Sequence, residues 1–132
     1  MAEPHVGGVV PHLTVTGGAV AVAFYRDAFG AEEFVRRYAD DGERIVRSHL
    51  GINGGSIILS DDFPERHGEV GAPPPARVAL HLQVDDANAW CLRACEAGCT
   101  VILPLADQPW GERYGELKDP FGHIWAIAQA VA

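Results

Sequence analysis

A four-residue motif occurs twice in the chain and divides the sequence into two halves of similar length. Residues 12–15 read HLTV and residues 81–84 read HLQV. Each copy precedes a helix-like stretch that ends in FGA at 29–31 in the first half and in AGC at 97–99 in the second, and strand-like sequence follows both. An internal repeat of this kind predicts that one supersecondary module is present twice.

The periodicity of each half supports the duplication, because both halves predict the same order of elements. In the first half, the expected order is a strand at 9–15, a helix at 18–29 and strands at 33–38, 44–50 and 56–60. In the second half, it is a strand at 78–84, a helix at 86–97 and strands at 100–103, 113–118 and 123–129. The sequence therefore predicts an α+β protein made of two βαβββ modules.

The two modules are expected to form a single domain over residues 1–132, since a chain of 132 residues suffices for one compact domain. The modules cover about residues 8–60 and 78–130, and a loop at 61–77 that contains the rigid run PPP joins them. Within the modules, Gly30 is typical of a helix end, and the run NGG at 53–55 is typical of a hairpin turn.

Charge and hydropathy exclude two kinds of partner. The chain has 10 Lys and Arg residues against 18 Asp and Glu residues, a net charge of −8, and its basic residues are scattered. Such a charge repels phosphate backbones, so we expect no nucleic acid partner. The longest apolar run, residues 19–25, is too short to span a membrane, and no basic residue precedes Arg26. We therefore predict a soluble cytoplasmic protein.

Alternation along the predicted strands separates a core face from a polar face. Leu13 in the first strand, and Val46 and Leu50 in the third, are expected to face the helix and the core. The opposite face then carries a set of polar side chains: His12, Thr14, His49, His81 and Gln83. A polar second face indicates a solvated groove, or a cavity if the two halves curl toward each other.

Five segments of the chain resemble the vicinal oxygen chelate superfamily, which includes glyoxalase I, bleomycin-resistance proteins and extradiol dioxygenases. They are PHLTV at 11–15, AFYRDAFGA at 23–31, LHLQVDD at 80–86, QPWGERYG at 108–115 and DPFGHIW at 119–125. The residues of these segments are most similar to those of the PhnB-like branch of the superfamily. The resemblance implies a glyoxalase/bleomycin-resistance fold, in which two βαβββ modules form a cupped mixed sheet with helices on its outer face, usually in a homodimer.

Metal-using members of this superfamily take their ligands from the first and fourth strands of each module. By the resemblance, these positions fall on apolar residues of this chain: Val10, Ala79, Ala126 and a residue near Ile58 or Leu59. None of these side chains can bind a divalent cation. We therefore expect the standard metal site to be absent and no cofactor to be required.

The resemblance and the polar face together favour a protein that binds a small molecule, a drug or a metabolite, in a cleft between the modules and without a metal. Bleomycin-resistance-type proteins give antibiotic resistance by such sequestration, often in a cleft shared by two subunits. Aromatic side chains would form the walls and polar side chains would orient the ligand. The candidate ligand-binding residues are His12, Thr14, His49, Ser60, His81, Gln83, Trp110, Arg113, Tyr114 and Glu116.

An alternative is a metal-dependent lyase, transferase or dioxygenase of the same superfamily, with ligands displaced along the strands. His12 and His81 lie two residues beyond the expected ligand positions, and together with Glu116, or with His49, they would hold one divalent metal ion. Glu116 is then the candidate catalytic base. A third possibility is an interaction domain without a ligand-sized cavity. The sequence leaves open whether the chain is an enzyme.

Overall fold

The computed structural model describes residues 3, 8–66 and 78–131. The chain divides into a first unit within residues 1–73 and a second unit within residues 74–132, and Asp27–Phe29 clusters with the second unit. Most of the predicted connecting loop, from residue 67 to residue 77, lies outside the described residues. No helix in the described part of the chain is long and apolar enough to cross a membrane.

The first unit is built from a helix and a four-stranded mixed sheet. Its elements are β1 (His12–Val15), α1 (Gly18–Phe29), β2 (Glu32–Tyr38), β3 (Ile45–Ile52), β4 (Gly55–Asp61) and the 3-10 turn Pro64–Arg66. The strands are ordered β1-β4-β3-β2. Strand β1 pairs with β4 in parallel, whereas the other pairs are antiparallel.

The second unit repeats this arrangement. Its elements are β5 (Ala79–Gln83), α2 (Ala87–Ala97), β6 (Thr100–Asp107), β7 (Glu112–Lys118) and β8 (Ile124–Ala130). The strands are ordered β5-β8-β7-β6, again with one parallel pair, β5 and β8, and two antiparallel pairs. The predicted α+β fold of two βαβββ modules is confirmed.

The predicted local signals end the helices and strands as expected. Gly30 ends α1 at φ 68°, a left-handed conformation that glycine adopts without steric cost. Asn53 and Gly54 have φ of 49° and 82° and form the two-residue turn between β3 and β4. Asp86 caps α2, since its carboxylate accepts a hydrogen bond from the backbone N–H of Ala89 at 3.1 Å.

Strand β6 is longer than the sequence predicts, because it continues past Pro104 to Asp107 rather than ending at residue 103. Its register with β7 shifts between Val101 and Leu103 and again between Leu103 and Ala106. Proline cannot donate a hydrogen bond to a neighbouring strand, and it is tolerated in an edge strand and next to such irregularities. Strand β6 lies at the edge of its sheet.

The prediction that Val46 faces the core is wrong. Its exposed fraction is 37%, whereas Ile45, Ser48 and Leu50 are fully buried. The pairing of β3 with β4 runs from Ser48 to Ile52, so Val46 lies beyond the last paired residue and has no partner residue on β4 beside it. The buried polar residue on this face is Ser48, whose hydroxyl donates to the Glu33 carboxylate at 2.6 Å.

Each unit has a buried carboxylate that holds its loops. In the first unit, Asp61 accepts hydrogen bonds at 2.7–3.0 Å from three backbone N–H groups, those of Gly17, Gly18 and Ile45. In the second unit, Asp119 accepts hydrogen bonds at 2.8–3.0 Å from the backbone N–H groups of Phe121 and His123 and from the indole N–H of Trp125. Both carboxylates are therefore structural.

Candidate functional site

The first unit presents one polar sheet face, which we call the first polar face and define by His12, Thr14, His49, Ile58 and Ser60. The strand register places His12 beside Ile58, and Ile58 beside His49, in one row across three strands. Thr14 is paired with Ser60 on the same face, and Nε2 of His12 lies 2.9 Å from the Ser60 hydroxyl. The sequence-predicted residues of this unit therefore share one face, as expected.

His49 is the unusual residue of the first polar face. Its exposed fraction is 1%, and neither ring nitrogen has a hydrogen-bond partner among the described residues. The Glu3 carboxylate lies 3.2 Å from Nδ1, but its position does not meet hydrogen-bond geometry. The Phe34 ring packs edge-on against the imidazole at a centroid distance of 5.3 Å. A buried polar group without a hydrogen bond destabilises the fold, so a ligand that hydrogen-bonds to this imidazole would be favoured.

A cavity of about 490 Å³ opens beside His49 within the first unit. It is lined by Gly30, Glu32, Phe34, His49, Gly51, Ile52, Asn53, Gly54, Gly55 and Ser56. A Cβ at Gly51 would lie 2.6 Å from Cζ of Phe34, so the absent side chain at Gly51 leaves the room that the Phe34 ring occupies. The cavity has the size of an ordinary small-molecule site.

The cavity wall contains residues that the sequence analysis missed, chiefly Phe34, Gly51, Asn53 and Ser56. The run NGG at 53–55 predicts the hairpin turn and gives no sign of a cavity beside it. The register shift in β2 between Glu33 and Val35 breaks the strand alternation around Phe34. The regular pairs before the shift, Glu32 with Gly51 and Glu33 with Leu50, already put Phe34 on the same face as His49, but this pairing cannot be read from one strand alone.

The second unit presents a corresponding second polar face, which we define by His81, Gln83, Tyr114 and Glu116. The register places His81, Ala126 and Glu116 in one row and places Ala128 beside both Gln83 and Tyr114. His81 Nε2 lies 2.9 Å from the Gln83 amide oxygen, and the Tyr114 hydroxyl donates to Glu116 at 2.7 Å. Ala126 and Ala128 therefore lie on β8 between the polar residues of β5 and those of β7.

Two rings lie near that of Tyr114 in the second polar face, those of Trp110 and His81. The Trp110 ring lies 6.1 Å from that of Tyr114 in an edge-to-face arrangement, and the His81 ring lies 6.3 Å from that of Tyr114. Trp110 is 62% exposed and its indole N–H donates to Glu112. The hydrogen bond to the Glu116 carboxylate raises the pKa of Tyr114, with desolvation as a further cause, so the phenol keeps its proton.

Arg113 is the predicted site residue that lies apart from the others. Strand alternation puts it on the opposite face of β7 from Tyr114 and Glu116. Its guanidinium donates to the Asp107 carboxylate at 2.8 Å, and this contact lowers the pKa of Asp107. Arg113 is therefore a half-buried residue of an ion pair on the other face of this sheet.

The potential metal-binding side chains of the described residues lie apart or in pairs. They contain no cluster of three or more His, Cys, Asp and Glu side chains that could hold a metal ion. In the alternative ligand set His12, His81 and Glu116, each member interacts with a neighbour on its own sheet: Ser60, Gln83 and Tyr114, respectively. The resemblance-implied positions Ile58 and Ala126 lie on the two polar faces and are apolar.

The three cysteines of the second unit are free thiols. Burial raises the pKa of Cys91 to about 11 and that of Cys99 to about 12. A thiol with such a pKa is protonated at neutral pH and is a poor nucleophile and a poor metal ligand. These surroundings are those of packed thiols rather than of reactive or metal-binding ones.

Comparison with known proteins agrees with this architecture. The model of the family described as Glyoxalase/Bleomycin resistance protein/Dioxygenase superfamily matches residues 4–127, and the chain belongs to this family. An uncharacterized protein of Mycobacterium bovis is 42% identical over 125 residues, which cover 92% of this chain and 82% of that protein.

Two solved structures illustrate the shared fold. A gene product of Arabidopsis thaliana has 26% sequence identity and a TM-score of 0.71, and the match covers 94% of this chain and 99% of that one. The PhnB protein from Bacillus cereus has 18% identity and a TM-score of 0.71, and the match covers 94% of this chain and all of that one, 100%.

Proposed function

We propose that this chain binds a small organic molecule at the first polar face and does so without a metal ion. The observation that carries the proposal is the 490 Å³ cavity with the buried imidazole of His49 in its wall, whose ring nitrogens make no hydrogen bond to the described residues. Binding sites commonly combine a cavity of this size with a few placed polar groups. A ligand that hydrogen-bonds His49 would remove the cost of leaving that imidazole unpaired.

The lining of the cavity indicates what such a ligand would contact. A neutral imidazole offers one donor and one acceptor, and the hydroxyl of Ser56 and the amide of Asn53 offer both. Phe34 supplies an aromatic surface beside them. These groups suit a small, flat molecule with an apolar ring and at least one polar substituent.

The proposal is tested by titrating benzamide into isotope-labelled protein and following backbone amide signals by NMR. We expect saturable shifts at Phe34, Gly51 and Ser56, and weaker binding in a His49→Phe variant. The matched control is His81→Phe, the same substitution on the second polar face, which should bind benzamide like the wild type. Absence of saturable shifts at the cavity residues, or equal loss in both variants, would contradict the proposal.

Metal independence has its own test. Dialysis against a chelator should leave the benzamide affinity unchanged, and metal analysis of protein purified without a histidine tag should find no stoichiometric metal. Loss of binding on chelation that returns when a divalent metal is added would favour the metal-dependent enzyme instead.

A homodimer is the second part of the proposal, and the edge strand β6 supports it. Val101, Ile102 and Leu103 are 47%, 47% and 41% exposed in succession on this strand. A long apolar edge strand left open favours pairing with another chain, and a second copy of this chain would cover it. Light scattering should give the mass of a dimer for the wild type and of a monomer for Ile102→Lys. A monomeric wild type would contradict this part.

A further inference from the structure

Three side chains of the first unit converge on a single carboxylate, that of Glu3. Arg47 donates to Oε1 of Glu3 from Nη2 at 2.6 Å and from Nε at 3.1 Å. The guanidinium of Arg37 lies 3.9 Å from Oε2, and Nδ1 of His49 lies 3.2 Å from Oε1. The carboxylate is thus approached by two guanidinium groups and one imidazole.

The sheet register makes this cluster an anion site in the absence of Glu3. Arg37 and Arg47 are directly opposite each other on β2 and β3, where two like charges repel. His49 follows Arg47 on the same face, two residues along β3. The neighbouring Arg36 differs, because Glu33 on its own strand neutralises it with two hydrogen bonds. The Arg37–Arg47 pair instead has a carboxylate from outside its two strands, that of Glu3.

We propose that Arg37, Arg47 and His49 form a carboxylate-binding site, that Glu3 occupies it in the free protein, and that the ligand of the adjacent cavity is a small aromatic carboxylic acid. The inference rests on the proposed function, since His49 belongs to both the carboxylate cluster and the cavity wall. The carboxylate of the ligand replaces that of Glu3, and its ring extends past His49 toward Phe34.

Glu3 is then an intramolecular competitor. A group tethered to its own binding site has a high effective concentration, so an acid in solution must bind well enough to displace it. Arginine forks recognise planar carboxylates by charge-assisted hydrogen bonds, which a neutral amide of the same shape does not form to the same extent. Removing the charge of Glu3 should therefore strengthen the binding of acids and leave neutral analogues unaffected.

The test compares benzoate with benzamide, two probes of similar shape that differ in charge, by NMR titration. In Glu3→Gln, we expect benzoate to bind roughly 10-fold more tightly than in the wild type and benzamide to bind within about 2-fold. When Arg47→Gln is added to Glu3→Gln, so that no competitor remains, we expect benzoate binding to fall by at least roughly 10-fold and benzamide binding to persist. Glu96→Gln and Arg66→Gln are matched controls outside the cluster, and both should resemble the wild type.

Three outcomes are informative. If benzoate and benzamide both shift the cavity amides and neither affinity responds to Glu3→Gln or Arg47→Gln, the carboxylate site is refuted and the proposed function stands. If neither probe shifts the cavity amides in any variant, both proposals fail. Should Arg47→Gln not fold, Arg37→Gln replaces it, since this more exposed arginine should lower the benzoate affinity by a smaller but measurable factor; unchanged affinity would overturn the inference.

Discussion

The two units share one architecture and differ in how they satisfy the polar groups of their sheets. In each unit, a histidine, an apolar residue and a titratable residue form a row across three strands: His12, Ile58 and His49 in the first, and His81, Ala126 and Glu116 in the second. In the second row, both outer residues have a partner on their own sheet. In the first row, His49 is buried and has no hydrogen-bond partner within the described residues.

The difference shows that one duplicated scaffold can carry two kinds of surface. Paired polar groups, as in the second polar face, are stable without a ligand. A buried polar group that makes no hydrogen bond and lies next to a cavity, as His49 does, strengthens the binding of a ligand that hydrogen-bonds to it. The edge strands differ in a similar way, since β2 carries charged residues in ion pairs and β6 exposes apolar ones.

The largest effect on stability is expected from removing the buried carboxylate of either unit, Asp61 or Asp119. Asp61→Ala leaves three backbone N–H groups without an acceptor, and Asp119→Ala leaves two together with the Trp125 indole. Each should lower the free energy of unfolding by about 3 kcal/mol or more in urea denaturation. The exposed controls Asp40→Ala and Asp85→Ala should stay within about 0.5 kcal/mol of the wild type. If only one of the two substitutions had a small effect, the two carboxylates would not have equivalent structural roles.

A smaller effect on stability is expected from alanine substitution of two glycines, one in each unit, and its size should differ between them. A Cβ at Gly115 would lie 2.9 Å from the backbone oxygen of Leu103, which cannot move easily, so Gly115→Ala should cost about 2 kcal/mol of stability. A Cβ at Gly51 meets the Phe34 ring, which can rotate. Gly51→Ala should therefore cost less than about 1 kcal/mol but weaken benzamide binding severalfold. Equal stability losses, or unchanged binding in Gly51→Ala, would argue against this account of the cavity.

The smallest effect concerns the ionisation of Tyr114. Its pKa lies above the ordinary value because the hydroxyl donates to the Glu116 carboxylate. The stability from this raised pKa is fully present below the pKa of an unfolded tyrosine and is lost as the pH rises through the folded value. Glu116→Gln should move the Tyr114 ionisation, followed by ultraviolet absorbance against a Tyr114→Phe reference, to lower pH. No change would mean that Glu116 does not perturb the phenol.

Most of the fold could be predicted from the sequence because its signals are local. The strand and helix periods, Gly30 after α1 and the Asn53-Gly54 turn each act over a few residues. The polar face could also be predicted by alternation, and His49 was placed on it correctly. Val46 was misplaced because its burial depends on where the pairing with β4 ends, which strand periodicity does not encode.

The cavity and the carboxylate cluster could not be predicted, since both depend on contacts between distant residues. Phe34 meets His49 through the pairing of β2 with β3, and Glu3 meets Arg47 across 44 positions of the sequence. The opposition of Arg37 and Arg47 depends on the register of two strands, and a shift of one residue would place them on different faces. Arg113 was grouped with the site by its position in a motif, whereas strand parity separates it from that face.

The most direct test of the central claim is the nitrogen-15 NMR spectrum of the histidine side chains with and without benzoate in Glu3→Gln. The shifts of the ring nitrogens report protonation and hydrogen bonding. We predict that benzoate changes the His49 nitrogens in a saturable way and leaves those of His81 unchanged. Saturable changes at His81 with none at His49 would contradict the assignment of the ligand to the first unit.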